Sequence, residues 1–325
     1  MWKYNNLRRF VMEKISFVIP CYRSENTIEK VIQDIYNFEK SYTGYEIEIV
    51  LVNDNSPDNV WDVITALTNK DSRIKAVRLL RNFGQHAALM AGYNVCTGDY
   101  VATIDDDGQT PVDQTSILMD KLLEGFDVVY GKYEERKDSI FRKLGTKLNN
   151  MMSKSLLGKP KDLQLTSFFV ARKAVIKEIC QYKNAFPYIW GLVLRTTKSI
   201  TNATIKHNNR LEGESGYTLG KLINLWMNGF TAFSVKPLRI SAGIGVLFSG
   251  IGLIGIIYVI VDKLLHPSIS AGYSSLMAVL LIIGGLLLLS LGLIGEYVGR
   301  IYMCINATPQ FIVRDTLNVE KEESK

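Results

Sequence analysis

RNFGQHAALMAGYNVCTGDYVATIDDDGQTP, residues 81–111, carries the pattern that decides the fold. Gln85–Cys96 reads as a helix, and Tyr100–Ile104 as a short buried strand that ends on three consecutive carboxylates, Asp105, Asp106 and Asp107. A helix feeding a strand, with the polar residues held back to the strand's carboxyl end, is the repeating unit of an α/β sheet. Ligands in such sheets bind beyond the carboxyl ends of the strands.

The same alternation extends on both sides. Ile15–Pro20 (ISFVIP), Glu46–Val52 (EIEIVLV) and Ile74–Leu79 read as strands, and Val128–Val129 lies on another. Thr27–Phe38 is helical, with Ile28, Val31, Ile32 and Ile35 on one face, and Asn59–Leu67 and Asp113–Glu124 are further helices. The expected class is α/β: a mainly parallel, Rossmann-like sheet flanked by helices. Four polar segments follow strands: Pro20–Glu25, Asn53–Asp58, Arg81–His86 and Asp105–Gln109. One such turn is commonplace, but four at one sheet edge predict a built pocket.

The composition shifts sharply after about Lys236. Ser241–Val261 is 21 residues without a charge, close to the ~20 needed to cross a bilayer as a helix. A polar turn with Pro267 follows, then a second uncharged stretch over about Ser275–Gly295. Two buried core helices are the alternative, but globular helices rarely stay charge-free for so long. Lys236 and Arg239 precede the pair and Arg300 and Arg314 follow it, whereas the connector holds only Lys263 and His266. The positive-inside rule places both ends, and the domain before them, in the cytoplasm. Ser241, Gly245 and Ser249, and Gly295 and Gly299, recur at helix-packing spacing, on the hairpin itself or on another subunit. Residues 141–158 and 218–235 mix basic or polar with apolar groups as interfacial helices would, the alternative being surface helices packed on the sheet.

The expected organisation is an N-terminal extension (1–14), a catalytic domain (15–217), an amphipathic juxtamembrane segment (218–239), a transmembrane hairpin (240–299) and a cytoplasmic tail (300–325). Residues 1–14 are polar and basic, unlike a signal peptide, and translation starting at Met12 would remove most of them. Hydrophobic residues make up 47% and charged residues 22%, so disorder is not the default. A net charge of +6 admits nucleic acid or anionic lipid. The basic residues cluster near the apolar segments rather than on a face with stacking aromatics, so membrane lipids are the expected partner and nucleic acid is set aside. Cys21, Cys96, Cys180 and Cys304 are scattered, with no zinc or C-x-x-C spacing, and read as free thiols of a reducing compartment.

The acidic run is the chemical centre. A hard divalent cation, Mg²⁺ or Mn²⁺, takes oxygen ligands and often keeps substrate phosphates in its shell. Asp105 and Asp107 face one side if the run is extended. A metal there would bridge a diphosphate and stabilise the leaving nucleotide. A solvated acidic turn is the alternative for this motif alone.

VIPCYRSENTIEKVI, VNDNSPDN, the 81–111 stretch and a late R-x-x-GES-x-Y before an apolar hairpin together resemble the inverting glycosyltransferases of GT-A fold. More narrowly, they resemble the polyprenyl-phosphate sugar transferases, a group that includes dolichol-phosphate mannose synthase, the bactoprenol glucosyltransferases and undecaprenyl-phosphate formamido-arabinose transferase. The tail LIGEYVGRIYMCINATPQFIV adds to the likeness, which covers residues 15–314. The resemblance implies a metal-dependent transfer, with inversion, from a nucleotide-sugar donor, a UDP-sugar, to polyprenyl (undecaprenyl) phosphate. It implies the bacterial cytoplasmic membrane and a homo-oligomer. Pro20, Tyr22, Glu25 and Asp54 would hold base and ribose, and Asp105 and Asp106 would line the nucleotide and sugar site. Asp105 and Asp107 would carry the catalysis, Asp107 and Gln109 would ligand the metal, and Arg136, Arg142 and Arg210 would face phosphates. A lipid phosphate is already an anion, so no catalytic histidine is required, and His86 is expected to shape the loop after Gly84.

The chain departs from the family at three places. The family's Gly-Asp pair followed by an aromatic is replaced by Leu165-Thr166-Ser167-Phe168-Phe169, with Asp162 out of register. Gly216 stands where the family has lysine, and Lys132 and Tyr133 where it often has arginine. All three fall on the sugar and acceptor side. They leave open transfer to a hydroxyl of a glycan or glycolipid, which would need a general base, and a non-catalytic membrane scaffold.

Overall fold

The computed structural model describes residues 12–133, 160, 162–206, 236–265, 272–306 and 308–320. Eight strands form one sheet: β1 (Glu13–Cys21), β2 (Tyr45–Asn53), β3 (Ile74–Leu79), β4 (Tyr100–Thr103), β5 (Val128–Tyr133), β6 (Phe169–Arg172), β7 (Ile200–Ile205) and β8 (Val313–Leu317). Their order is β7-β5-β6-β4-β1-β2-β3-β8. β4, β1, β2 and β3 are mutually parallel, β5 pairs parallel with β7, and β6 and β8 run antiparallel to their neighbours. The helices of this unit are α1 (Ile28–Ser41), α2 (Val60–Lys70), α3 (Gln85–Val95), α4 (Thr115–Leu123), α5 (Lys173–Cys180) and α6 (Ile189–Thr196). A 3-10 turn over Val112–Gln114 takes up the start of the helix expected from Asp113.

β1 and β2 are each buried over seven consecutive residues, the pattern of parallel strands covered on both faces. Side chains alternate between the two layers. Phe17 meets Phe38 of α1 edge-on at 5.6 Å between ring centroids. Val18 faces α3, where a Cβ on Gly92 would lie 2.5 Å from Val18 Cγ1 and 3.0 Å from Val52 Cγ2. The missing side chain at residue 92 is what lets α3 lie directly on β1 and β2.

From β1 the chain builds outward through β2 to β3, then returns to lay β4 on the other side of β1. The sheet therefore has its topological switch point between β1 and β4, where the crevice for a ligand opens. Away from that crevice, buried Glu48 ties three strands together. It pairs with Lys75 at 2.7 Å and accepts hydrogen bonds from Ser16 Oγ (2.5 Å), Thr97 N (2.8 Å) and Thr97 Oγ1 (2.8 Å).

The last strand was not anticipated. Residues 300–325 were expected to be a tail, yet β8 pairs antiparallel with β3, Ala76 opposite Leu317 and Val77 opposite Thr316. Asn318 fastens its end by donating to the carbonyls of Thr68 and Ile74, both at 2.9 Å. Residues on both sides of the hairpin thus belong to one compact unit.

The second unit contains α7 (Lys236–Leu265) and α8 (Tyr273–Ile305). The hydroxyls of Ser241 and Ser290 meet at 2.8 Å, joining the two helices. A Cβ on Gly245, Gly295 or Gly299 would meet nothing within 4 Å, so close packing within this hairpin does not require those glycines. Among the described residues one segment, Ile282–Ile305, is long and apolar enough to cross a membrane. It extends past the expected end at Gly295 because Glu296 and Arg300 are isolated charges in an apolar run, and the helix carries on through them.

Candidate active site

The four polar turns converge on the crevice, beginning with those after β1 and β2. Asn53 Oδ1 accepts from Ser56 N (2.8 Å), and Ser56 Oγ accepts from Arg23 N (2.7 Å) and donates to Asp58 Oδ1 (2.5 Å). Glu25 N donates to Asp58 Oδ2 (3.0 Å), while Glu25 Oε2 accepts from Asn59 N (2.9 Å). The turns after β1 and β2 are laced together, with Arg23 and Asn55 at φ 59° and 50°. Pro20 is buried in β1, and the Tyr22 ring stands open with the Arg23 guanidinium 5.6 Å from its centre.

Asp54 behaves differently from its neighbours. It is buried, and its two oxygens accept from Phe83 N (2.7 Å) and Gly84 N (2.8 Å). Burial raises its pKa against the pull of those two bonds. The carboxylate shapes the Arg81–His86 turn from behind, and Gly84 at φ 89° supplies the backbone conformation that the turn needs.

The acidic run divides between the two flanks of the crevice. Asp106 Oδ2 accepts from Tyr22 N (2.9 Å), and the Asp106 carbonyl accepts from Thr27 Oγ1 (2.6 Å), so this residue belongs to the β1 side. Asp105 belongs to the β6 side. β4 and β6 pair with Thr103 opposite Phe169, and two further steps of that antiparallel register bring Asp105 opposite Ser167. Ser167 Oγ donates to Asp105 Oδ2, and Gln85 Nε2 donates to Oδ1 at 2.9 Å. Burial pushes both carboxyls up to about 6, with neighbouring carboxylates adding to the rise. The Tyr133 hydroxyl, on the same flank, is pushed up to about 12 by burial and by the charges of Asp105 and Asp107.

Asp107 turns onto its own loop. Its Oδ1 accepts from Gln109 N (2.9 Å) and its Oδ2 faces Gln109 Nε2, with Gly108 between them at φ 71°. Among the described residues no three His, Cys, Asp or Glu side chains converge as a closed metal cage. The donor set instead suits a cation that takes one or two protein oxygens and fills its shell with phosphate and water. Turning the Gln109 amide over would put its oxygen beside Asp107 Oδ2, giving two oxygen donors on one loop.

Beyond Asp105 lies a ring cluster. His86 packs edge-on against Tyr188 and Trp190, both at 5.3 Å between centroids, and Tyr188 and Trp190 meet at 5.6 Å. Trp190 Nε1 donates to the Thr166 carbonyl (3.0 Å), and Thr166 Oγ1 donates to the carbonyls of Gly131 and Phe168 (both 2.9 Å). Burial pushes the His86 pKa down to about 4, and its buried Nδ1 has no partner. Such an imidazole is neutral near pH 7.

Tyr22, Glu25, Asp54, Asp105, Asp106, Asp107 and Gln109 therefore lie on the turns that border one crevice, with Pro20 at the end of β1 beneath them. Arg136, Arg142, Arg210 and Gly216 lie outside the described residues, as do the whole of 141–158 and of 218–235. Sequence reasoning missed Gln85, Ser167 and Trp190. The one available signal was the Leu165–Phe169 departure, which the β4–β6 register turns into direct contact with the acidic run.

Residues 16–181 match the model of glycosyl transferase family 2, and residues 236–301 match the GtrB C-terminal hairpin. The undecaprenyl-phosphate 4-deoxy-4-formamido-L-arabinose transferase of Yersinia pestis bv. Antiqua (strain Angola) is 33% identical over 96% of both chains. The protein of the same name from Yersinia enterocolitica serotype O:8 is also 33% identical over 96% of both. Glucosyl-3-phosphoglycerate synthase of Mycobacterium tuberculosis, solved with uridine diphosphate, overlays with a TM-score of 0.46 and 19% identity, covering 65% of this chain and 75% of that one. The chain belongs to glycosyl transferase family 2, and is a glycosyltransferase that carries the GtrB-type C-terminal hairpin.

Proposed function

We propose that this glycosyltransferase moves a sugar, with inversion, from a nucleoside diphosphate donor, a UDP-sugar, onto polyprenyl phosphate at the cytoplasmic face of a membrane. One observation carries the reading: the acidic run at the switch point is flanked on one side by the laced β1 and β2 turns and on the other by β6. A nucleotide held on the β1–β2 flank directs its diphosphate across Asp105–Asp107 and its sugar toward Ser167 and Tyr133. Relatives named for undecaprenyl phosphate share 33% identity over 96% of this chain, hairpin included, which supports the lipid acceptor.

The chemistry then asks for little beyond placement. The phosphate oxygen of the acceptor attacks the anomeric carbon as the bond to the donor diphosphate breaks. An acceptor that arrives ionised needs no base, so positioning and charge stabilisation suffice. His86, neutral and packed among rings, fits a structural part in this scheme. Asp107 and Gln109 would hold Mg²⁺ or Mn²⁺, which when bound neutralises charge on the departing diphosphate.

The membrane topology has support from the fold. β3 precedes the hairpin and β8 follows it, and the two are hydrogen-bonded in one sheet. A sheet cannot be divided by a bilayer, so the chain between them crosses an even number of times. Lys236 and Arg239 on one side and Arg314 on the other support a cytoplasmic location for those ends.

Transfer to a hydroxyl is the second reading. It is favoured by Asp105, whose pKa near 6 suits a general base. The deciding experiment incubates membranes containing the protein with radiolabelled nucleotide sugars, undecaprenyl phosphate and Mg²⁺ or Mn²⁺, then extracts with organic solvent. The expected product is a labelled lipid that mild acid cleaves, absent with Asp107→Ala. Label found only in a product stable to mild acid would replace the phosphate acceptor with a hydroxyl.

A further inference from the structure

Ser167 donates its one hydroxyl proton to Asp105 Oδ2. A hydroxyl offers one proton and two lone pairs, so toward a ligand Ser167 is left with acceptor capacity alone. Asp105 already receives bonds from Gln85 and Ser167 on its two oxygens, and a carboxylate can only accept further ones. Thr166, the next residue, has its hydroxyl proton directed at the carbonyls of Gly131 and Phe168. Among the described residues no cation pairs with Asp105. The edge of the crevice formed by residues 105, 166 and 167 is therefore rich in acceptors, negative, and short of free donors.

This edge is also held firmly. The Thr166 carbonyl is tied to the Trp190 indole, and Trp190 is wedged against His86, the residue after Gln85. Gln85 thus precedes a member of the ring cluster, and Ser167 follows a residue hydrogen-bonded to one. A rigid, acceptor-only edge reads its ligand by demanding donors and by repelling negative charge.

We propose that Ser167 is a specificity-determining residue for the donor sugar. With Asp105 it accepts hydrogen bonds from a hydroxyl or amide N–H of an uncharged sugar, and it excludes sugars that carry a carboxylate. The inference rests on the donor half of the proposed function, with the sugar on the β6 flank, and is independent of the acceptor.

The test measures binding of UDP, UDP-glucose, UDP-N-acetylglucosamine and UDP-glucuronate to the full-length protein in nanodiscs, with Mn²⁺ present and no lipid acceptor added. The uncharged UDP-sugars are expected to bind at least tenfold more tightly than UDP-glucuronate. Ser167→Ala should weaken the preferred UDP-sugar about five- to tenfold, the effect of one hydrogen bond to ligand, and leave UDP unchanged. Ser167→Thr, which keeps the hydroxyl, should restore the preference. UDP-glucuronate binding as well as UDP-glucose would overturn the proposal. So would a Ser167→Ala loss shared equally by UDP and the UDP-sugars, because that pattern marks a structural role. Discrimination among sugars without any lipid-linked product would uphold Ser167 while defeating the polyprenyl-phosphate acceptor, so the two readings fail separately.

Discussion

Asp105 and Asp106 carry charge in a place that resists it. Both ionise near 6 in the folded chain, where a free aspartate does so at 3.8. The folded state therefore holds more protons than the unfolded one between those values, and stability falls as pH rises through that window. Asp106→Asn keeps an oxygen for the Tyr22 N–H and removes the charge. It should stabilise the metal-free protein at pH 7.5 by about 1–3 kcal/mol while weakening donor binding, as read by chemical denaturation and nucleotide titration. His86 has the opposite sign. Its pKa drops from 6.5 to about 4, so the unfolded state takes up the extra proton and stability is lost as pH falls from 6.5 toward 4. Measured against His86→Phe, which cannot titrate, the wild type should lose about 3 kcal/mol across that range. The carboxylates themselves were legible, because three in a row after a strand is a local pattern. Ser167 was legible only as an oddity, since 62 residues separate it from Asp105 and only strand pairing brings them together.

At the scale of elements, the helices and central strands follow from local rules. Apolar runs gave β1 to β4, and helical spacing gave α1, whose buried face is Ile28, Val31, Ile32, Ile35 and Phe38. The short strands β6 and β8 carry no comparable run, and partners chosen across the sheet define them. Glu48 shows what alternation conceals. In EIEIVLV it reads as a solvent-facing residue, yet it is buried. Burial raises its pKa, but Lys75, Ser16 and Thr97 outweigh that and hold it below the ordinary value. The stability it contributes is present at neutral pH and is lost as pH falls through the folded pKa. Glu48→Ala strands a half-buried lysine and several donors, and should cost about 3–5 kcal/mol in denaturant titrations, with Lys75→Met/Glu48→Met losing much less.

For the whole molecule, the decisive feature is that the sheet is finished by residues after the hairpin. Truncation after Asn306 removes β8, Gln310 with its bond to the Tyr182 carbonyl, and the Asn318 clasp. The edge of β3 is then bare, and an unpaired parallel edge invites association. The truncated protein should elute from size-exclusion chromatography in larger species than the full chain and unfold at lower temperature. No local pattern announces this strand, because VRDTL is short, charged and follows a membrane-type helix.

The pairing also sets a clock for biosynthesis. Leu317 leaves the ribosome 241 residues after its partner Ala76, an interval of roughly 10–50 s at ordinary elongation rates. Throughout that interval the nascent enzyme has an open sheet edge, and it is in the same interval that the hairpin is made. Synthesis of the hairpin and completion of the sheet are thereby ordered in time, and the sheet closes only after both hairpin helices have been made.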